Sequence, residues 1–66
     1  MVSIVDLKDR IKRISEPTSE DHTVLAIVDS FLGCPMPYIR ENLPRCIEKY
    51  KGCSAWEMTI EYLQSI

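Results

Sequence analysis

The chain has 66 residues, a formal net charge of −2 and a hydrophobic fraction of 45%. A chain of this length forms one domain, here residues 1–66, and buries only about 60% of its unfolded surface, so its stability is marginal without a partner chain, a metal or disulfides. The charge argues against a general attraction to nucleic acid or anionic membranes, and the longest apolar run, Val24 to Val28, is far shorter than the ~20 residues of a membrane span.

The first segment is predicted to be an amphipathic helix. Its apolar residues recur at spacings of three and four, which places them on one helical face: Ile4, Leu7, Ile11 and Ile14. Ser3 is a suitable N-cap residue, and the carboxylate of Asp6 lies favourably in the first turn, near the positive end of the helix dipole.

A second helix is predicted after the polar stretch that contains Pro17. Thr18 or Ser19 can cap it, and its apolar residues form a broad band: Val24, Leu25, Ile27, Val28, Phe31 and Leu32. The run "TVLAIV" is rich in β-branched residues, so a buried strand is the alternative. No other strand-like run exists to pair with it, and a helix is therefore preferred.

The third segment begins after Gly33, which suits the left-handed residue at a helix end. Its apolar residues again have helical spacing: Ile39, Leu43, Cys46 and Tyr50. Pro44 costs ~3 kcal/mol in an uninterrupted helix because it lacks an N–H and crowds the preceding turn. We therefore expect a short helix over residues 37–42 and another over 43–51, capped by Asn42.

The last segment opens with "SAWE", a capping box in which Ser54 caps a helix and Glu57 reaches back. Beyond it one apolar stripe is predicted to consist of Trp56, Ile60 and Leu63, with a second set beside it: Ala55, Met58 and Tyr62. The four segments together predict an all-α fold, a compact bundle of four to five short helices with no sheet.

The three cysteines are an odd number, which fits reduced and mostly buried thiols in the cytoplasm better than a disulfide scaffold. With the single histidine they make a Cys₃His set by count: His22, Cys34, Cys46 and Cys53. Structural zinc ligands usually come in pairs two to four residues apart, and no such pair occurs here. We expect neither a metal nor another cofactor.

The corner over residues 31–44, "FLGCPMPYIRENLP", raises the question of a DNA-binding helix-turn-helix. That family usually has a small residue four positions before the turn glycine, where the helices cross, and Asp29 stands there instead. Ile39 fits an apolar position after the glycine, but Asn42 stands at the next one. Glu41 would approach phosphates with the wrong charge. A small helix-turn-helix-like DNA-binding regulator is therefore the alternative, ranked second.

Catalytic groups are few. His22 is the only imidazole, it lies among acidic residues at the start of a predicted helix, and there is no glycine-rich phosphate loop. A chain this short also has little room for both a core and a substrate pocket. We expect that the protein is not an enzyme.

What remains is contact with another protein. The proline-limited corner and the segment after it carry residue types that are enriched at interfaces: Met36, Tyr38, Arg40 and Arg45. We predict a small cytoplasmic protein-binding regulator or inhibitor, of the size that phages and mobile elements encode. Because four amphipathic helices carry more apolar positions than one small core hides, a homodimer is favoured over a monomer.

Overall fold

The computed structural model describes residues 3–66, and within that range the chain forms four α-helices and a short 3₁₀ turn, with no strand. The elements are α1 (Ile4–Lys12), α2 (Ser19–Ser30), α3 (Met36–Ile47), the 3₁₀ turn (Glu48–Tyr50) and α4 (Ser54–Ser65). Helix α4 packs against the other three helices, and α2 packs against α1 and α3. The all-α prediction is confirmed. None of the helices between residues 3 and 66 has the length and apolarity to cross a bilayer.

The first two helices begin with capping boxes. The backbone N–H of Asp6 donates to the Ser3 hydroxyl at 3.2 Å, and the N–H of Asp21 donates to the Thr18 hydroxyl at the same distance. In each case the acid accepts a hydrogen bond from the backbone N–H of the N-cap residue in return. The segment "TVLAIV" lies within α2, so the helical interpretation is confirmed.

The prediction of two helices in the third segment is wrong. Helix α3 continues through Pro44, without the break that we expected between residues 42 and 43. Leu43 and Ile47, on either side of the proline, are fully buried. Their packing into the core keeps the chain helical despite the local cost of a proline, as tertiary contacts commonly override local preference.

Asn42 consequently lies inside α3 and does not cap a helix. Its side-chain amide donates to the carbonyl of Tyr38, one turn earlier, at 3.1 Å. The bond that Pro44 cannot donate would end on the carbonyl of Arg40, an exposed residue, where solvent can replace the missing N–H.

The prediction that Ser54 caps the last helix is also wrong. Cys53 has the extended backbone of an N-cap residue, and its Sγ accepts a hydrogen bond from the N–H of Trp56 at 3.3 Å. Ser54 is the first residue of the helix itself. The capping position therefore lies one residue earlier than the "SAWE" motif indicates.

The core is a single cluster of buried apolar side chains from all four α-helices: Leu7, Ile11, Val24, Val28, Phe31, Ile39, Leu43, Ile47, Ala55 and Tyr62. On α4 the buried positions are Ala55, Thr59 and Tyr62, whereas the stripe of Trp56, Ile60 and Leu63 is only partly buried. The expectation of mostly buried cysteines is wrong as well, because Cys46 is exposed and the other two are half-buried.

Candidate protein-binding groove

The four residues predicted to bind a partner lie on two different faces of α3. Met36 and Arg40 are one helical turn apart and flank the buried stripe of that helix. Tyr38 and Arg45 are two turns apart, and both are exposed. The structure thus brings together two of the four predicted residues and places the other two elsewhere.

Met36 and Arg40 line a groove of about 440 Å³ between the start of α1, the start of α3 and the end of α4. Most of its lining is apolar or weakly polar: Ile4, Cys34, Met36, Ile39, Tyr62 and Ile66. Arg40 and two serines complete it. A groove of this size, apolar with a few polar groups, has the general character of a binding site.

The Tyr62 side chain lines the groove with its hydroxyl near Met36. The residue is only 2% exposed, and the hydroxyl donates to the Sδ of Met36 at 3.8 Å. A thioether sulfur is a weak acceptor, so this hydrogen bond is a poor substitute for one to oxygen. Burial raises the pKa of Tyr62, and the nearby positive charge of Arg40 only partly opposes the rise. At neutral pH the phenol is therefore protonated and can donate.

Of the described residues that line the groove, only Arg40 has a charged side chain. Between residues 3 and 66 a single ion pair forms, between Lys8 Nζ and Asp29 Oδ1 at 2.6 Å, and it joins α1 to α2. That pair lowers the pKa of Asp29, first through its hydrogen bond with Lys8 and then through the Lys8 charge. The guanidinium of Arg40 thus has no carboxylate partner within the described part of the chain.

The Asp29 pair also bears on the helix-turn-helix comparison. The Asp29 side chain is 52% exposed and faces Lys8 of α1. It does not lie at a buried crossing of α2 and α3, which is where the comparison placed it. The corner between those helices is instead packed by aromatic contact, because the ring of Tyr38 lies 5.7 Å from the ring of Phe31 at an angle of 40°.

Arg45 lies at a separate, shallower surface pocket. That pocket measures about 260 Å³ and includes Trp56 and Ile60 of α4 together with Glu48 and Lys51. Charges of both signs therefore surround Arg45. The exposed Tyr38, half of whose surface is accessible, belongs to neither depression.

The sequence interpretation missed the parts of the groove that come from outside α3. Ile4 was assigned to the apolar face of the first helix, Tyr62 to the set beside the stripe of the last helix, and Ile66 to no role. These residues lie far from Met36 along the chain and meet it only through the packing of α1 and α4 against α3. No local spacing signals such a meeting.

The residues considered for metal binding and catalysis lie apart from the groove, except for Cys34. His22 is exposed on α2, and no three His, Cys, Asp or Glu side chains within residues 3–66 are grouped so as to hold a metal ion. Burial raises the pKa of the Cys53 thiol, and the neighbouring Asp21 raises it further, although the hydrogen bond from Trp56 N–H opposes both. The thiol is thus held protonated, which disfavours nucleophilic chemistry.

Comparison of the chain with protein-family models, curated proteins and solved structures gave no match.

Proposed function

We propose that this domain is a small protein-binding regulator or inhibitor, active in the cytoplasm, that contacts its partner through the groove at Met36 and Arg40. The observation that carries the proposal is the groove itself, an apolar depression beside a guanidinium that has no carboxylate partner within residues 3–66. Interfaces commonly combine such apolar anchoring with Arg at or near the centre of the contact. The proposal includes no catalytic step.

The alternative function is that of a small helix-turn-helix-like DNA-binding regulator. It requires several cations that face phosphates free of competing carboxylates. Arg40 lies instead in an apolar groove, and Arg45 shares its pocket with Glu48. Steeply salt-dependent retention on heparin or duplex DNA would favour this alternative over protein binding.

A homodimer is part of the proposal, formed through a surface distinct from the groove. The partly buried residues Trp56, Ile60 and Leu63 follow one another along one side of α4. A second copy related by a two-fold axis can cover this stripe, as is common among small domains. The corner around Tyr38 and Arg40 then stays free for the partner protein.

The experiment is affinity purification of the tagged chain from the organism that encodes it, with three matched baits. The wild type is compared with Met36→Asp, which places a charge in the groove at the first position of α3, where an acid is favourable to the helix. Arg45→Gln, on the other face of α3, is the control. We expect one protein to co-purify with the wild type and with Arg45→Gln but not with Met36→Asp. Equal recovery with all three baits would remove the groove from the proposal.

A further inference from the structure

We propose, resting on the function above, that the groove binds a segment of the partner in which an apolar side chain stands next to a carboxylate. The apolar side chain enters the groove, and the carboxylate accepts hydrogen bonds from the guanidinium of Arg40 and the hydroxyl of Tyr62. The occupant is thus an acidic, apolar peptide segment of another protein.

The first argument is the hydrogen bonding of Tyr62. Buried hydroxyl groups in proteins almost always pair with a good acceptor, and Tyr62 is only 2% exposed as a residue. Its partner is the thioether of Met36, at 3.8 Å. An oxygen acceptor entering the groove offers this hydroxyl a stronger bond than the one it makes in the free protein.

The second argument is charge. Among the described residues that line the groove, Arg40 has the only charged side chain, and its guanidinium has no ion-pair partner within residues 3–66. The position of Arg40 is close enough to Tyr62 for its charge to influence the phenol. A guanidinium and a neutral phenol are both donors, so the ligand group that satisfies both is an anionic acceptor. A carboxylate matches the planar fork of Arg.

The third argument is the apolar lining beside these donors. Ile4, Ile39 and Ile66 come from three different parts of the chain and surround the space next to Tyr62. A purely ionic ligand would leave this surface without contact, whereas an apolar side chain adjacent to the carboxylate covers it. The volume of about 440 Å³ is at the lower end of the range of ligand sites, which suits a side chain and its neighbour.

The occupant is a peptide segment because the site is a groove at the surface, between the ends of three helices. Such a groove covers one side of its occupant and leaves the other in water, where a peptide keeps its backbone hydrated. A fatty acid has the same carboxylate and apolar chemistry, but its long chain needs cover on all sides to gain from burial. Titration with decanoate distinguishes a fatty acid from a peptide segment as the occupant.

The experiment selects from a randomised 12-residue peptide library displayed on phage, using the full chain as the target. Peptides that bind are then synthesised in two forms, one with the native Asp or Glu and one with Asn or Gln in its place. Binding is measured to the wild type, to Arg40→Gln, to Tyr62→Phe and to the control Arg45→Gln. Shifts of the Met36 methyl resonance report occupancy of the groove, and circular dichroism checks that each variant folds. Decanoate is titrated separately.

We expect the selected peptides to pair an apolar residue with Asp or Glu, and amide replacement to weaken binding about tenfold. The difference in binding between the acid and amide forms of a peptide should largely disappear in Arg40→Gln, become smaller in Tyr62→Phe and remain in Arg45→Gln. Peptides that shift Met36 but carry no acid, or that lose nothing in Arg40→Gln, would overturn the carboxylate inference and leave the proposed function in place.

Two further results would be negative. Selected peptides that leave Met36 unshifted would overturn both the inference and the proposed use of the groove. Decanoate that occupies the groove in preference to every selected peptide would overturn the choice of a peptide segment.

Discussion

The carboxylate of Asp21, in the first turn of α2, accepts a hydrogen bond of 2.9 Å from the backbone N–H of Ala55, in the first turn of α4. Its other oxygen accepts from the N–H and the hydroxyl of Thr18, at 2.9 Å and 3.1 Å. Asp21 is 3% exposed, yet both its oxygens are satisfied. One buried carboxylate therefore caps two helices that are distant in sequence and fixes the position of α4 relative to α2.

The first prediction concerns acid unfolding. The pKa of Asp21 lies below its ordinary value of 3.8, chiefly because the Ala55 N–H stabilises the charged form. As the pH falls, the unfolded chain takes up this proton before the folded chain does. The stability that Asp21 contributes is complete well above pH 3.8, declines near it and is lost as the pH falls through the lowered pKa. Urea unfolding should give a lower free energy of unfolding at pH 3 than at pH 7. This difference between the two pH values should be smaller in Asp21→Asn.

Asp6→Asn is the matched control for that experiment. Asp6 occupies the same position in the capping box of α1 but is exposed and bonds only within its own helix. At pH 7 we expect Asp21→Asn to lower the free energy of unfolding by about 2 kcal/mol and Asp6→Asn by less than about 1 kcal/mol. Moderate salt weakens the partly exposed Lys8–Asp29 ion pair and so reduces its contribution to the comparison. Equal losses from the two variants would contradict the two-helix role of Asp21.

The second prediction concerns the cap of α4. Cys53→Ala removes the acceptor for the Trp56 N–H and should cost about 1 kcal/mol, whereas Ser54→Ala should change stability by less than about 0.5 kcal/mol. Cys53→Ser should retain the cap, because serine is a preferred N-cap residue. Thermal and urea unfolding measure all three, with Cys46→Ser on the exposed side of α3 as the control. A larger loss of stability in Ser54→Ala than in Cys53→Ala would indicate that Ser54 is the N-cap residue.

The errors in interpreting α4 share a physical cause. The sequence placed the cap by residue type, and Ser is a better capping residue than Cys. Apolar spacing predicted a stripe of Trp56, Ile60 and Leu63 with a second set beside it, and did not show which of the two faces the core. The structure buries Ala55 and Thr59 completely, and the N–H of Ala55, on that side of α4, donates to the carboxylate of Asp21 in α2. This contact crosses 34 residues of sequence, and no local pattern contains it.

Helix α1 shows what local patterns do predict. Its apolar spacing identified Leu7 and Ile11 as core residues, and Ser3 with Asp6 identified its start. These features depend on neighbours within one helical turn. The groove differs, since α3 supplied Met36 and Arg40 to the prediction while its other walls come from α1 and α4. Residue type therefore singled out two residues of the groove lining, and the geometry of the groove could not be predicted from local spacing.

The third prediction concerns Pro44. Pro44→Ala restores an N–H that can donate to the carbonyl of Arg40 and should stabilise α3. The matched control is Pro37→Ala, in the first turn, where the missing N–H has no partner in the helix. Both variants make the unfolded chain more flexible, so the difference between them isolates the helical contribution. In urea unfolding we expect the free energy of unfolding of Pro44→Ala to exceed that of Pro37→Ala by about 2 kcal/mol. A difference near zero would mean that α3 accommodates the proline without cost.

The last prediction concerns association through the stripe of Trp56, Ile60 and Leu63. Light scattering coupled to size exclusion should give twice the monomer mass of 7.6 kDa at high concentration. Ile60→Gln keeps the size of a partly exposed side chain but penalises its burial against a second copy, so the concentration for half-association should rise about tenfold. Arg40→Gln is the control. The groove lies on a different face from the stripe, so removal of the Arg40 charge should leave the dimer unchanged. A mass of 7.6 kDa at every concentration would exclude the dimer and leave the stripe, like the groove, available to a different protein.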